Sequence, residues 1–323
     1  MENRNFVKDV LLGVAIGDAL GVPVEFVSRG MRDDNPVAGM REGGAHNQKA
    51  GTWSDDTSLT LCLAEMLCRP YSLTTLGGYF VNWREHGFWT ARGSVFDIGI
   101  ATAAAIQKLS LGANPLLAGG SDEYSNGNGS LMRILPLVFY VRDMPVAERF
   151  AYSREVSSVT HRHIRSVLAC FIYLEYARLL LMGRDKMKAL TETRLVVLQF
   201  IKEQSICTEE ELNKFHRVLS FSVGNYDLNP VEYLKVDEVY SGGYVIETLE
   251  ASLWCILHTN SYSEAVLKAV NLGSDTDTTA AVTGGLAGIL YGSETIPVAW
   301  LDVLAKRSEI EELAQRLAIQ TNL

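Results

Sequence analysis

Strand-like alternation of apolar and polar residues is scarce in this sequence, and so are the residues that staple or break a fold. There are only eight prolines and five cysteines in 323 residues. The cysteines (Cys62, Cys68, Cys170, Cys207, Cys255) are odd in number and form no C-x-x-C pair. That pattern excludes a disulfide framework and fits free, buried thiols in a reducing cytosol, so a cytoplasmic setting is expected. No H-E-x-x-H string suggests zinc, and no G-x-S-x-G elbow suggests a serine nucleophile. No run of 18 or more apolar residues provides a membrane span. Residues 1–5 are polar, and the apolar run behind them is broken by Gly13, Gly17, Asp18 and Gly21, unlike a signal peptide. Positive charge is also short: 29 Lys and Arg stand against 38 Asp and Glu, a net charge of −9. A broad nucleic-acid or membrane-binding surface is therefore not expected.

What the chain does have is helical periodicity. Hydrophobic residues make up 47% of it, enough for a large core. Apolar residues recur at 3.6-residue spacing over 5–19, 57–68, 94–109, 130–141, 145–159, 164–182, 243–258, 263–270 and 278–290. The stretch 164–182 is long and largely apolar and reads as a central, buried helix. Residues 308–319 read as a charged amphipathic terminal helix, and 208–218 as a short charged one. The joints 28–50, 111–129 and 206–241 are polar. None has linker composition, so the expectation is one all-α domain over 1–323.

Two short acidic strings are the chief chemical signal. Gly51-Thr52-Trp53-Ser54-Asp55-Asp56-Thr57 is echoed by Leu272-Gly273-Ser274-Asp275-Thr276-Asp277-Thr278. Each precedes an apolar helix. A single Asp there is ordinary N-capping. Four carboxylates in two strings exceed what capping needs, and charge beside a core is costly unless it is paired. If the fold joins the strings, they would balance two divalent cations. Hard oxygen ligation of this kind suits Mg²⁺ or Mn²⁺.

Other positions are less specific. Glu25 ends a Gly- and Pro-stiffened apolar run and suits a general base or a ligand of metal-bound water. On its own, it reads as a partly exposed acid in a helix-to-loop joint. Asp18 can hold the neighbouring loop through backbone N–H groups. Asp97, between Phe96 and Ile98, is either a cap or a functional carboxylate. Ser125-Asn126-Gly127-Asn128-Gly129-Ser130 leads into a predicted helix and can offer backbone N–H groups to a phosphate, although Asn-Gly turns are also common in plain loops. His161 or His163 can line a pocket or simply cap the helix that follows. Tyr244 can stack on a base or ribose, or be a core aromatic.

Taken in order, these strings resemble the ADP-ribosylglycohydrolase family. The matching segments are Gly13-Val14-Ala15-Ile16-Gly17-Asp18-Ala19-Leu20-Gly21 with Glu25, Trp53-Ser54-Asp55-Asp56-Thr57, Phe96-Asp97-Ile98-Gly99 with Thr102, and Gly127-Asn128-Gly129-Ser130-Leu131-Met132-Arg133. They continue with Thr160-His161, Gly242-Gly243-Tyr244-Val245-Ile246-Glu247, and Gly273-Ser274-Asp275-Thr276-Asp277-Thr278. The resemblance implies a compact orthogonal helical bundle with a dinuclear Mg²⁺ or Mn²⁺ centre. Its ligands would be Ser54, Asp55, Asp56, Asp275, Asp277 and Thr278. Glu25 and Asp97 would be the catalytic carboxylates. Ser125, Gly127, Asn128, Gly129 and Ser130 would hold the pyrophosphate of ADP-ribose, and His161 and Tyr244 would border it. The implied reaction is hydrolysis of the bond between ADP-ribose and a modified protein side chain, foremost arginine, with ADP-ribose as product. Serine, nucleic acid or a small metabolite as acceptor, or an inactive ADP-ribose binder, are the alternatives. Two positions depart from the family pattern: Ser54 where Thr is frequent, and Ile100 where arginine-directed relatives can carry Asn.

Overall fold

Helix α1 (Phe6–Gly21) is buried along almost its whole length. It can be so because one face is glycine at every fourth residue. A Cβ at Gly13, Gly17 or Gly21 would collide with the backbone of Gly284, Ala280 or Asp277 respectively. The opposing helix is Thr276–Tyr291, and its own Gly284 and Gly288 are filled by the backbone of Gly13 and Asp9. Two small-residue faces thus pack backbone to backbone, antiparallel, with no side chain between them. The end of α1 is thereby placed against the start of a helix made 255 residues later, where Thr276 Oγ1 donates to Gly21 O at 2.9 Å.

The computed structural model describes residues 4–220 and 229–323. Residues 1–3 of the polar N-terminal stretch, and 221–228 within the joint 206–241, lie outside the described residues. After α1, the principal helices are α2 (Asp55–Leu67), α3 (Leu73–His86), α4 (Ile100–Ser110), α5 (Val146–Ser158), α6 (Ile164–Leu181), α7 (Lys186–Gln204), α8 (Val245–Leu257), α9 (Tyr262–Asn271), α10 (Thr276–Tyr291) and α11 (Arg307–Gln320). The fold is all-α, as expected. Among the described residues, β pairing is limited to isolated bridges, Gly43 with Gln48, Gly120 with His161 and Gly127 with Tyr244. Helix α6 is central: it packs against α5, α7, α8 and α10. Among the described residues, no helix is long and apolar enough to cross a membrane.

Several elements differ from the sequence-based expectation. Residues 94–99 are not helical, and α4 starts only at Ile100 with Gly99 as its N-cap. The stretch 130–141 is not one helix: Pro136 cannot donate to a continuing turn, and the chain forms a 3₁₀ turn at Asn128–Ser130 and a short helix at Leu137–Val141. The stretch 208–218 divides into Glu209–Asn213 and His216–Leu219. Helices α3 and α7 were not anticipated. Gly77, Gly78 and a pair of threonines dilute the signal of α3.

Candidate active site

The two acidic strings meet where α1 and α10 cross. Helix α2 opens on Ser54, whose Oγ accepts the Asp56 N–H at 3.3 Å and donates to Asp56 Oδ2 at 3.1 Å. Most of the capping comes from outside the helix. Asp18, on α1, accepts the Ser54 N–H (2.9 and 3.0 Å), the Thr57 N–H (3.0 Å) and the Thr57 hydroxyl (2.6 Å). Asp55 and Asp56 are released from that duty. Asp55 takes the Gly99 N–H.

The second string is held differently. The Asp275 N–H donates to Ser241 O at 3.0 Å, and Asn128 Nδ2 donates to Asp275 Oδ2 at 2.8 Å. Asp277 Oδ1 accepts the Thr278 N–H at 3.0 Å. The direct link between the strings is Thr278 Oγ1, which donates to Asp56 Oδ2 at 3.3 Å. Glu25 stands between two groupings whose ligand atoms lie within 4.8 Å of one another: Glu25, Asp275 and Asp277, and Glu25, His46 and Asp97. Residues 25–27 are pinned to the second string by Phe26 N–H to Ser274 O and Ser274 N–H to Val27 O, both 2.8 Å.

Seven carboxylates therefore converge, and no Lys or Arg among the described residues pairs with them. Burial, then mutual repulsion, pushes Asp55, Asp56 and Asp277 well above the ordinary carboxylate range. Glu25 is pushed up to about 9 by burial and then by Asp97, Asp275 and Asp18. Asp18 rises to about 6 through burial, opposed by its bonds from Thr57 and Ser54. Asp97 is raised by burial and partly relieved by His46. Such a set cannot all ionise without a counter-cation. Asp56 Oδ1 is moreover buried with no hydrogen-bond partner. An orphaned carboxylate oxygen among oxygen donors of one sign is what a hard divalent cation would satisfy, so the residues fit the metal centre that the resemblance implies.

The loop 125–130 borders this cluster. It pairs with the start of α8 through Asn128 N–H to Gly243 O and Val245 N–H to Asn126 O, both 3.0 Å. Asn128 also bonds Thr248 Oγ1 at 2.9 Å, so it ties the loop to α8 as well as to Asp275. Residues Asn128–Ser130 form a 3₁₀ turn capped by Gly127, so the Ser130 N–H faces back into that turn. A Cβ at Gly129 would press on the His161 ring and Thr102 Oγ1 at 2.8 Å. The side chains of the two serines turn elsewhere. Ser125 Oγ donates to Asp122 at 2.9 Å, and the buried Ser130 Oγ accepts from Ser157 at 2.9 Å. What this loop offers a ligand is backbone, not hydroxyls.

His161 is buried, and burial followed by the nearby Arg133 cation lowers its pKa to about 3. It is neutral at physiological pH. Arg133 donates to Thr160 Oγ1 at 2.6 Å, and Thr160 Oγ1 lies 2.9 Å from His161 Nδ1. The Thr160 hydroxyl proton is satisfied by giving it to Nδ1, which leaves Nε2–H as a donor on the side of Gly127 and Gly129. Tyr244, half-buried, is the N-cap residue of α8, and the Arg165 guanidinium lies 5.8 Å from its ring centroid. His163 is not in the cleft wall: it caps α6, accepting the Arg165 N–H. With Glu123 and Glu211 it makes a further carboxylate–histidine group. There Arg165 already occupies both acids, at 3.0 and 2.7 Å, so it is an ion-pair node.

Sequence reasoning did not single out His46. It sits in the turn closed by the Gly43–Gln48 bridge, and its Nε2 lies 2.5 Å from Glu25 Oε2. Only the presence of a histidine in a polar joint signalled it.

Comparison with known proteins agrees with this geometry. The family profile described as ADP-ribosylglycohydrolase matches residues 1–323. The ADP-ribosylarginine hydrolase Tri1 of Serratia proteamaculans (strain 568) is 34% identical over 98% of this chain and 80% of its own length. The ADP-ribosyl-[dinitrogen reductase] glycohydrolase of Rhodospirillum rubrum is 28% identical over 93% of this chain and 90% of its own. A solved structure titled ADP-ribosylglycohydrolase-related protein complex superposes with a TM-score of 0.76 at 31% identity, covering 99% of this chain and 100% of that one. With a carboxylate centre built from both ends of the chain and a backbone-lined cleft beside it, this chain belongs to the ADP-ribosylglycohydrolase family of glycosidases.

Proposed function

We propose that this protein hydrolyses the N-glycosidic bond between C1″ of ADP-ribose and an arginine side chain of a modified protein, releasing ADP-ribose and restoring the arginine. The observation that carries the reading is the convergence of seven carboxylates without a Lys or Arg partner, one of them with an orphaned oxygen. Similarity to arginine-directed relatives supports the acceptor.

Two divalent cations, Mg²⁺ or Mn²⁺, would be held by Ser54, Asp55, Asp56, Asp275, Asp277 and Thr278. Bound there, they supply charge neutralisation and an acidified water. The protein supplies the rest. The Gly129 backbone N–H and the His161 Nε2–H receive the pyrophosphate and ribose, and Ser130 closes the turn that presents them. Gly127 keeps the loop open beside His161, Asn128 fixes the loop to Asp275, Ser125 shapes its outer turn, and Tyr244 flanks the nucleotide. Glu25 accepts a proton from the attacking water as the water oxygen bonds to C1″. The C1″–N bond breaks through an oxocarbenium-like state, and that proton passes to the departing guanidine. Asp97 steadies the cationic guanidinium. One continuous buried core supports treating 1–323 as a single catalytic unit. The five free thiols suit a cytoplasmic setting.

The acceptor has a second reading. Ile100 is 92% exposed beside Gly99 at the cluster, where a polar residue would better serve a guanidinium. That favours serine, nucleic acid or a small metabolite as the group released. A panel of ADP-ribosylated arginine, serine and nucleic acid, each with Mg²⁺, Mn²⁺ or chelator, decides. Arginine should be released fastest and only with metal. Turnover unaffected by chelator overturns the metal centre, and preference for another substrate overturns the acceptor. Within that assay Glu25→Gln should lose about 10²–10⁴-fold on every substrate, and Asp97→Asn mainly on arginine.

A further inference from the structure

One corner of the cleft has features that neither the metal centre nor the ADP-ribose loop uses. Phe26 follows Glu25 directly. Its φ is +66°, in the left-handed region that bulky residues avoid, and its ring is 69% exposed. The Phe26 N–H bond to Ser274 fixes the backbone there, and glycine would take that conformation at less cost. A phenylalanine held in a strained conformation with its ring in solvent is better explained by a ligand than by packing.

The ring's aromatic neighbour is His46, at 6.0 Å between centroids and a tilt of 55°, and His46 in turn meets Phe96 at 5.2 Å and 53°. The imidazole thus touches both phenyl groups, with its Nε2 on Glu25 and within reach of Asp97. It is the only basic side chain that the described residues bring to the carboxylate cluster. It is planar, it donates through its edge to carboxylates, and it lies against two aromatic rings. A guanidinium shares each of those properties: it is flat, donates in plane and stacks on aromatic rings.

We propose that the slot between Phe26 and Phe96 is the acceptor subsite, and that His46 stands there in the free enzyme in place of the substrate's guanidinium, which displaces it from Glu25. This rests on the arginine reading above. It also names what gives that reading its selectivity: the two aromatic faces admit a planar cation, and Glu25 and Asp97 receive its N–H groups. An ammonium has no flat face to stack, and a serine hydroxyl has no charge to pair.

The test is binding without turnover, so that it stands apart from the hydrolysis assay. Agmatine, which carries the arginine side chain's guanidinium, is titrated into the metal-loaded protein with ADP-ribose present. The His46 ring signals are followed by NMR, and 1,5-diaminopentane serves as a dication of equal charge with no planar group. Agmatine should shift the His46 resonances and bind more tightly than 1,5-diaminopentane. Phe26→Ala should weaken agmatine binding about five- to thirty-fold and leave ADP-ribose binding at the parent value, which also shows that the variant is folded. His46→Ala should bind agmatine more tightly than the parent, because the occupant is gone. Weaker agmatine binding in His46→Ala makes His46 a wall and overturns the stand-in. An unmoved His46 signal, or equal affinity for agmatine and 1,5-diaminopentane, overturns the subsite. If agmatine binds as described while the enzyme releases no arginine, the hydrolytic reading fails and the guanidinium site remains.

Discussion

The two acidic strings carry nearly the same residues and are fixed by opposite means. Ser54-Asp55-Asp56-Thr57 is anchored by another carboxylate, Asp18, which gathers three donors from it. Asp275-Thr276-Asp277-Thr278 is anchored by neutral groups: the Asn128 amide, the Ser241 carbonyl and a pair of backbone bonds to residues 26–27. Charge in the first string is held in place by more charge, which only a cation can relieve. The second is held by dipoles, which cost little whether or not a cation is bound. The first string should therefore depend more on metal for its stability, and the second should dictate where the metal sits.

The sharpest test removes one carboxylate from each string. Asp56→Ala and Asp277→Ala should each lower bound metal, measured by elemental analysis, and cut the hydrolytic rate by about 10³-fold, near 4 kcal/mol. Retention of full metal by either variant would separate the strings into independent features. Next in size is Asn128→Ala, which strips the support from Asp275 and should weaken metal binding about 10–100-fold by titration calorimetry. Unchanged affinity would mean that the amide steers only the loop. Asp18→Asn sets an amide N–H against groups that already donate. It should cost about 1–2 kcal/mol in chemical denaturation, with a smaller change in metal affinity than Asn128→Ala. A larger change would reverse the assignment of roles.

The last test is a pH slope in the metal-free protein. Glu25, raised from 4.5 to about 9, and Asp18, raised from 3.8 to about 6, hold protons in the folded state that the unfolded chain has already released. Their folded pKa values lie above the unfolded ones. The stability they leave intact below about pH 4 is therefore lost as pH climbs through 6 and on towards 9. Thermal midpoints of the metal-free protein should fall between about pH 5 and pH 8, and Mn²⁺ or Mg²⁺ should flatten the slope. A metal-free midpoint that rises with pH would show that the carboxylates are paired by something else.

Much of this was legible in the sequence because the relevant residues carry short-range signals. An Asp before an apolar helix announces a helix start, and glycines at every fourth residue mark a close approach. The helical class follows from periodicity alone, and the buried face of α7 (Ala189, Leu190, Thr193, Arg194, Val197, Phe200, Ile201) carries that period even though the helix was not anticipated. What periodicity cannot show is where a helix is delayed. Residues 94–99 have helical spacing, yet they stay irregular, and in that form Asp97 reaches Glu25 and Gly99 reaches Asp55. His46 was invisible for a similar reason. Its significance depends on Glu25 and two aromatic rings, and only Phe26 and Glu25 lie within about twenty residues of it in the same joint.

The antiparallel contact of α1 with α10 bears on biosynthesis. Gly21 and Thr276 are 255 residues apart. At about 5–20 residues per second of synthesis, the glycine face of α1 waits roughly 13–50 s for the surface that covers it. Until then Asp18 and Glu25 have no second acidic string opposite them, and the centre does not exist in any form. A nascent chain that stalls before Asp275 is inert however well its earlier helices have folded. The activity of this centre therefore arises in a single step, once the second acidic string has been made, with no partly active intermediate.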